Sequence, residues 1–265
     1  MKRVVLSLLL FLAVERFCYF QTEGFILSKM LLENVPPPPG PSETLTFIGA
    51  GKQFYAFETA DHQYVVKFMK FSRRRPLPWL EKLPFFQSWK ISYLTERAKR
   101  LTNLKASSLL ARQYLSSEAA IVSYPLSKNL TLIDKLGIAH HIDRSQTEFI
   151  VQKKAAPFTT YFDKNPSLAH ILISSYLKTV SSHCRKGICN LDPIIDRNYG
   201  VVDNQMILMD IGSLLAHPKL KSLARQQLEI FMEVLPLREW LQNNHPEHVT
   251  FFDQALCQTI EKHSF

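Results

Sequence analysis

The chain has 265 residues, 46 % of them hydrophobic and 11 % aromatic, including 18 Phe. That composition excludes a disordered protein and suffices for one sizeable core, or for one domain built from two lobes. The net charge of +9 is uneven, because the window from Lys67 to Arg100 holds ten Lys/Arg against Glu81 and Glu96 and so carries +8 of it. The rest of the chain is nearly neutral, which places one basic segment on an otherwise ordinary protein.

Met1-Lys2-Arg3 precede an uncharged run from Val4 to Val14, which Glu15 and Arg16 close. The run is short of the roughly 20 residues that span a bilayer. It fits the apolar region of a signal peptide or signal anchor behind a positive start. An amphipathic helix on a membrane surface and a buried first helix are the alternatives. The expectation is a signal peptide or membrane anchor over 1–20 and a protein that is membrane-associated or exported, with a cytoplasmic protein as the alternative. Val35-Pro-Pro-Pro-Pro-Gly-Pro41 continues neither a helix nor a central strand, so 21–44 reads as a Pro-rich linker. Cys18, Cys184, Cys189 and Cys257 lack zinc-type spacing and read as thiols, with a Cys184–Cys189 disulfide open in an oxidising compartment.

Residues 45–58 read as a strand, the turn Gly49-Ala-Gly51 and a second strand; Tyr64–Met69 reads as a third. Small residues at Gly49 and Gly51 let backbone N–H groups approach phosphate oxygens. Lys67 follows 18 residues after Gly49, within Val-Val-Lys. A Gly-rich hairpin followed by a strand bearing a Lys resembles the protein-kinase-like superfamily. Phe54 stands where that loop carries its third glycine, an aromatic expected at the loop tip.

The resemblance implies a helix carrying a Glu that pairs with the Lys. Leu110, Tyr114, Ile121 and Val122 set a helical stripe over 106–124, and Glu118 falls on it. Glu118 is the candidate partner of Lys67, with Glu96 as the runner-up. Thr131–Asp143 and Thr147–Lys153 resemble the fourth and fifth strands of a small lobe, and Gln152-Lys-Lys-Ala155 the hinge that meets the adenine. His140 and His141 read as structural.

Leu168, Ile171, Leu172, Tyr176 and Val180 predict a helix over 167–183. After it come Asp192, Asn198, a hairpin turning at Asp203–Gln205, and Asp210-Ile-Gly212. Asp210-Ile-Gly212 resembles the kinase Asp-Phe-Gly, and Asn198 the catalytic-loop Asn. Both would bind metal, an arrangement of hard oxygens that suits Mg²⁺. Asp192, 18 residues before Asp210, sits where the catalytic base is expected, with Asp196 as a competing acid. Asn190-Leu191 replaces the usual His-Arg, Asn198 comes one residue later than in the kinase motif, and His217-Pro218 leaves almost no activation segment. The basic aromatic insert 70–100, with Trp79, Phe85, Phe86 and Trp89, suits a membrane surface as partner; no nucleic-acid-binding module is visible. Residues 219–262 predict helices at Leu220–Phe231, Leu237–Gln242 and Val249–Ile260.

The fold class expected is α+β: a protein-kinase-like two-lobed domain over 45–265, with a small antiparallel sheet lobe (45–156) and a helical lobe (157–265), behind an N-terminal hydrophobic segment. The resemblance implies an ATP- and Mg²⁺-dependent phosphotransferase of unknown substrate. The other reading is a catalytically inactive kinase-like module that acts as an interaction scaffold.

Overall fold

The computed structural model describes residues 2–32, 36–37, 39–71 and 87–261, without the side chains of 2–6, 8 and 87–90. The aromatic part of the expected insert, 72–86, lies outside the described residues. The architecture is α+β. The chain divides into two compact units, Met1–Leu101 with Ser123–Gln152, and Thr102–Val122 with Lys153–Phe265.

The first unit holds α1 (Lys2–Gln21), β1 (Ser42–Ala50), β2 (Phe54–Thr59), β3 (Tyr64–Met69), the start of α2 (Gln87–Tyr114), β4 (Asn129–Ile133), β5 (Ala139–Asp143) and β6 (Phe149–Lys153). Its sheet runs β5-β4-β1-β2-β3-β6. The expected antiparallel sheet is a mixed one, because β4 pairs parallel with β1, from Ser42 opposite Asn129 to Thr46 opposite Ile133. The run 131–143, expected as one strand, breaks where Asp134 Oδ1 accepts the N–H groups of Leu136 and Ile138 at 2.9 Å each. The two halves fold back as an antiparallel hairpin. His140 and His141 serve this hairpin, through Asp134 and Thr131 respectively.

Period-two alternation on β1 and the aromatic residues of β2 fill the core of this sheet. Tyr55, Phe57, Val66, Phe68, Leu130 and Leu132 are fully buried. Phe25 joins them, its ring centroid 5.0 to 5.6 Å from those of Tyr55, Phe47 and Phe57. Phe25 and Met30 are buried although they fall in the segment expected as a linker. An apolar side chain beside an unfilled sheet face removes more free energy by docking than a free linker keeps as entropy.

The second unit holds the rest of α2, then β7 (Ala156–Pro157), α3 (Phe158–Lys164), α4 (Ala169–Arg185), β8 (Ile188–Asn190), α5 (Ile195–Asn198), β9 (Tyr199–Val202), β10 (Gln205–Leu208), β11 (Leu214–Ala216), α6 (Leu223–Asn244) and α7 (Val249–Glu261). Its small sheets are β10-β9-β7 and β11-β8. Leu172, Ile173, Tyr176, Leu177, Val180 and Cys184 recur at helical spacing on α4 and are all buried. They pack against α6, α7 and β10.

Two expected helices, Leu220–Phe231 and Leu237–Gln242, are one helix that runs through Pro236. A proline inside a helix costs about 3 kcal/mol. Burial of Ile230, Val234, Leu237 and Leu241 on both sides of it offsets that cost. The expected helix over 106–124 instead starts at Gln87 and stops at Tyr114. A turn over 116–120 follows, closed by Ala120 with φ of +47°, so Ile121 and Val122 lie outside any helix. Cys184 and Cys189 are buried free thiols.

Leu237 has no exposed surface. Leu237→Ala should lower unfolding stability by about 2–5 kcal/mol, read as a fall in the urea midpoint at unchanged slope.

Candidate functional site

In the second unit the hairpin β9–β10 is the organising element. Its two-residue loop is Asp203-Asn204, with φ of +51° and +61°. Short side chains that tolerate the left-handed region make this the turn that matches strand twist. Strand pairing then sets Leu208 opposite Tyr199. One step beyond, the Asn198 carbonyl accepts the N–H of Met209 at 2.8 Å and of Asp210 at 3.3 Å. Two positions 12 residues apart are therefore brought side by side.

The Asn198 side chain is buried. Its Nδ2 donates to the Asp192 carbonyl, which leaves Oδ1 as the remaining polar atom of that amide. Asp210 Oδ1 accepts the Gly212 N–H at 2.9 Å. Asp192 is fixed at its other end too, since its N–H donates to Asn190 Oδ1 at 3.1 Å. Its half-exposed carboxylate has no hydrogen-bond or ion-pair partner among the described residues. Asp192, Asn198 and Asp210 thus form one connected group, and the competing acid Asp196 points to solvent as an exposed residue of α5. The oxygens of Asn198 and Asp210 are a hard donor set that fits a divalent cation.

Two features around this group escaped the sequence reading. Ser107, from α2, accepts the Leu214 N–H on Oγ at 2.8 Å and donates to the Ile211 carbonyl at 2.5 Å, stapling both sides of Gly212. Behind the loop lies a buried polar chain. Ser213 Oγ donates to Asn190 Oδ1 at 2.8 Å, Asn190 Nδ2 donates to Tyr199 Oη at 3.2 Å, and Tyr199 donates to Glu233 Oε1 at 2.7 Å. His183 Nε2 meets the other Glu233 oxygen at 2.9 Å, and Tyr176 donates to the Glu233 carbonyl at 3.0 Å. Burial, then the Glu233 carboxylate, pushes the Tyr199 and Tyr176 phenols far above their ordinary pKa, so both stay donors. His183, Cys184 and Glu233 bring their ligand atoms within 4.8 Å of one another. Burial holds the Cys184 thiol protonated, and Tyr199 and His183 already occupy both carboxylate oxygens, which makes this a core network. The signal that could have found it is a Glu at a core position of α6, which must have a partner.

Glu118 lies in the turn after α2 rather than on a helical stripe, and it is buried. The carboxylate expected to meet Lys67 accepts from Lys186 at 2.5 Å, Ser182 at 2.5 Å and Ser117 at 2.7 Å. All three lie in its own unit, and its carbonyl accepts the Leu208 N–H at 2.7 Å. Glu96 is exposed on α2.

In the first unit Lys67 is half-buried on β3, opposite Ala56. Gly49 and Gly51 both have φ outside the left-handed region. A Cβ at Gly49 would meet nothing within 4 Å, and at Gly51 only the Phe54 carbonyl at 3.9 Å. Neither the backbone nor the packing of this unit demands glycine there, so the space over the turn stays open for an approaching ligand. Gly200 contrasts, because a Cβ there would lie 2.7 Å from Met209 Sδ and 2.8 Å from Ala155 Cβ. Phe54, expected at the loop tip, is buried in the sheet opposite Met69. Lys70, which the sequence did not single out, donates to the Gly51 carbonyl at 2.7 Å and lies 3.8 Å from the Tyr55 ring centroid.

No family model matches the chain, and no curated protein matches it. Solved structures of WbdD are similar to it. One crystal structure of WbdD superposes with a TM-score of 0.37 at 17 % identity, over 80 % of this chain and 43 % of that one. A structure described as the bifunctional kinase-methyltransferase WbdD gives 0.37 at 18 % identity, over 80 % and 42 %. The chain thus spans less than half the length of those proteins. A likeness at this score decides neither fold nor chemistry; strands and side chains have to do so.

Two outcomes follow from the buried groups. Burial alone would raise the Glu118 pKa, but its three donors outweigh that and hold it at about 2, below the ordinary 4.5. Its stabilisation is therefore complete above pH 4.5 and is lost as pH falls towards 2. Unfolding free energy measured against pH should show Glu118→Gln losing less than the parent across that window. The difference should be on the order of 2 kcal/mol, allowing for the part-exposed Lys186. Tyr199→Phe leaves Glu233 Oε1 and Asn190 Nδ2 short of a partner and should cost about 1–3 kcal/mol in the same assay.

Proposed function

We propose that the chain is an atypical phosphotransferase of the protein-kinase-like fold, dependent on ATP and Mg²⁺. The observation that carries this reading is the pairing of Asn198 with Asp210 across the β9–β10 hairpin, next to a fixed Asp192. Open glycines at 49 and 51 and a lysine on β3 add a second, independent set of phosphate-contacting groups.

In this reading the N–H groups around Gly49 and Gly51 and the Lys67 ammonium hold phosphate oxygens. Asn198 Oδ1 and the Asp210 carboxylate would hold the metal, which when bound would neutralise phosphate charge. The Asp192 carboxylate orients the acceptor hydroxyl and takes its proton. Asn190 and Asn198 fix the Asp192 backbone, so the carboxylate is presented without reorganisation. Glu118 braces the segment through Lys186 and Leu208. β11 begins two residues after Gly212 and pairs directly with β8, Leu214 opposite Asn190. So short a segment offers little surface for docking a polypeptide, which favours a small-molecule hydroxyl as acceptor.

Thermal unfolding of the full chain tests this. Mg·ATP at about 100 times its dissociation constant should add roughly 2.7 kcal/mol of stability. Asp210→Asn and Lys67→Ala should remove most of that gain. Gly49→Ala should leave the nucleotide-free stability unchanged or slightly raised and still weaken the shift. No shift in the parent chain would leave the inactive scaffold as the reading.

A further inference from the structure

We infer that α1 is a membrane-docking element that enters one leaflet of an anionic lipid bilayer. This goes beyond the phosphotransferase reading and stands without it. Leu9, Leu10, Phe11 and Leu12 are consecutive and 58, 65, 65 and 48 % exposed. At 3.6 residues per turn, four consecutive positions face every side of a helix. Val14, Phe17, Tyr19 and Phe20 extend the exposed apolar surface at 53 to 65 %. A protein groove covers one face of a helix, through positions spaced three and four apart. Hydrocarbon covers all of them. An exposed apolar surface this large needs an occupant, and the shape of this one selects lipid.

Among the described residues, the helix is held by its far end only. Gly24 donates its N–H to the Tyr19 carbonyl at 2.9 Å, and its own carbonyl accepts from Tyr55 Oη at 2.9 Å. Tyr55 Oη in turn accepts the Ile26 N–H at 3.0 Å, and Phe25 is buried among the sheet aromatics. Gly24 has φ of +71°, and a Cβ there would lie 2.5 Å from the Tyr19 ring. Glycine is thus needed at this corner, which fixes the helix to the sheet while leaving its described side chains from Leu9 to Phe20 exposed.

Charge and length define the depth. Lys2 and Arg3 stand at one end of the apolar run and Arg16 at the other. Arg3 to Arg16 spans about 20 Å of helix, less than the roughly 30 Å of a hydrocarbon core. Among the described residues no helix is long and apolar enough to cross a membrane. Phe17, Tyr19 and Phe20 beside Arg16 match the aromatic and cationic mix of a bilayer interface. The net charge of +9, +8 of it between Lys67 and Arg100, favours anionic headgroups.

The test is flotation of the full chain, purified in mild detergent and mixed with phosphatidylcholine vesicles, with or without phosphatidylglycerol, before detergent removal. The chain should float, more with phosphatidylglycerol, and that extra fraction should fall as salt is raised. Leu10→Glu with Phe11→Glu should cut flotation at least about tenfold at unchanged thermal unfolding, since both side chains are exposed. Three results would overturn the inference. One is a chain that stays at the bottom with both vesicle types. Another is flotation that the double variant leaves undiminished. The third is lipid-free self-association that the double variant abolishes while vesicles capture nothing, which would make a second copy of the chain the occupant.

Discussion

Two N–H groups donating to one carbonyl, those of Met209 and Asp210 to Asn198, set the geometry on which the candidate site depends. They exist because β9 and β10 pair through a tight Asp203-Asn204 turn that leaves no slack in register. A one-residue slip would turn every side chain of the hairpin to its other face. It would also carry Asp210 away from Asn198. The chemistry proposed for this chain therefore rests on a register held by four paired residues on each strand.

Register alone would not hold the loop that carries Asp192. A buried chain of donors and acceptors does that, from Ser213 through Asn190 and Tyr199 to Glu233. Such a chain is costly when half made and rigid when complete, because in a low-dielectric interior each unmet group is penalised. Asn190 is its hinge point: its Oδ1 takes both the Ser213 hydroxyl and the Asp192 N–H. Asn190 thus links the Asp192 backbone to the segment after Gly212. Glu118 performs a similar task on the other side, joining α4 to the end of β10.

Strands β1, β2, β3 and β6 and the hairpin β9–β10 were legible because alternation and turn residues act locally. So was α4, whose apolar stripe faces one core. What failed was non-local. The parallel docking of β4 on β1 depends on surfaces far apart in sequence, and no pattern within either strand encodes it. The end of α2 was misplaced because Ile121 and Val122 fit the helical period, while neither the stop at Tyr114 nor the left-handed turn at Ala120 has a compositional mark. Pro236 misled in the opposite direction, since tertiary burial outweighed a local breaker. At the site, Asp192, Asn198 and Asp210 were singled out by the resemblance to kinase motifs. Ser107, Lys70, Tyr199 and Glu233 were not, because a residue that positions another carries no motif of its own. The glycines stand on different physical grounds: Gly200 is required by packing against Met209 and Ala155, and Gly49 is not required by packing at all.

The central claim is that Asn198 and Asp210 are the two protein ligands of one cation. Crystals of the full chain grown with Mn²⁺ and a non-hydrolysable ATP analogue test it through the anomalous signal of the metal. A peak should lie about 2–2.4 Å from both Asn198 Oδ1 and the Asp210 carboxylate. A nucleotide bound with its metal elsewhere, or a metal held by the Asp196 carboxylate in place of Asp210, would contradict it.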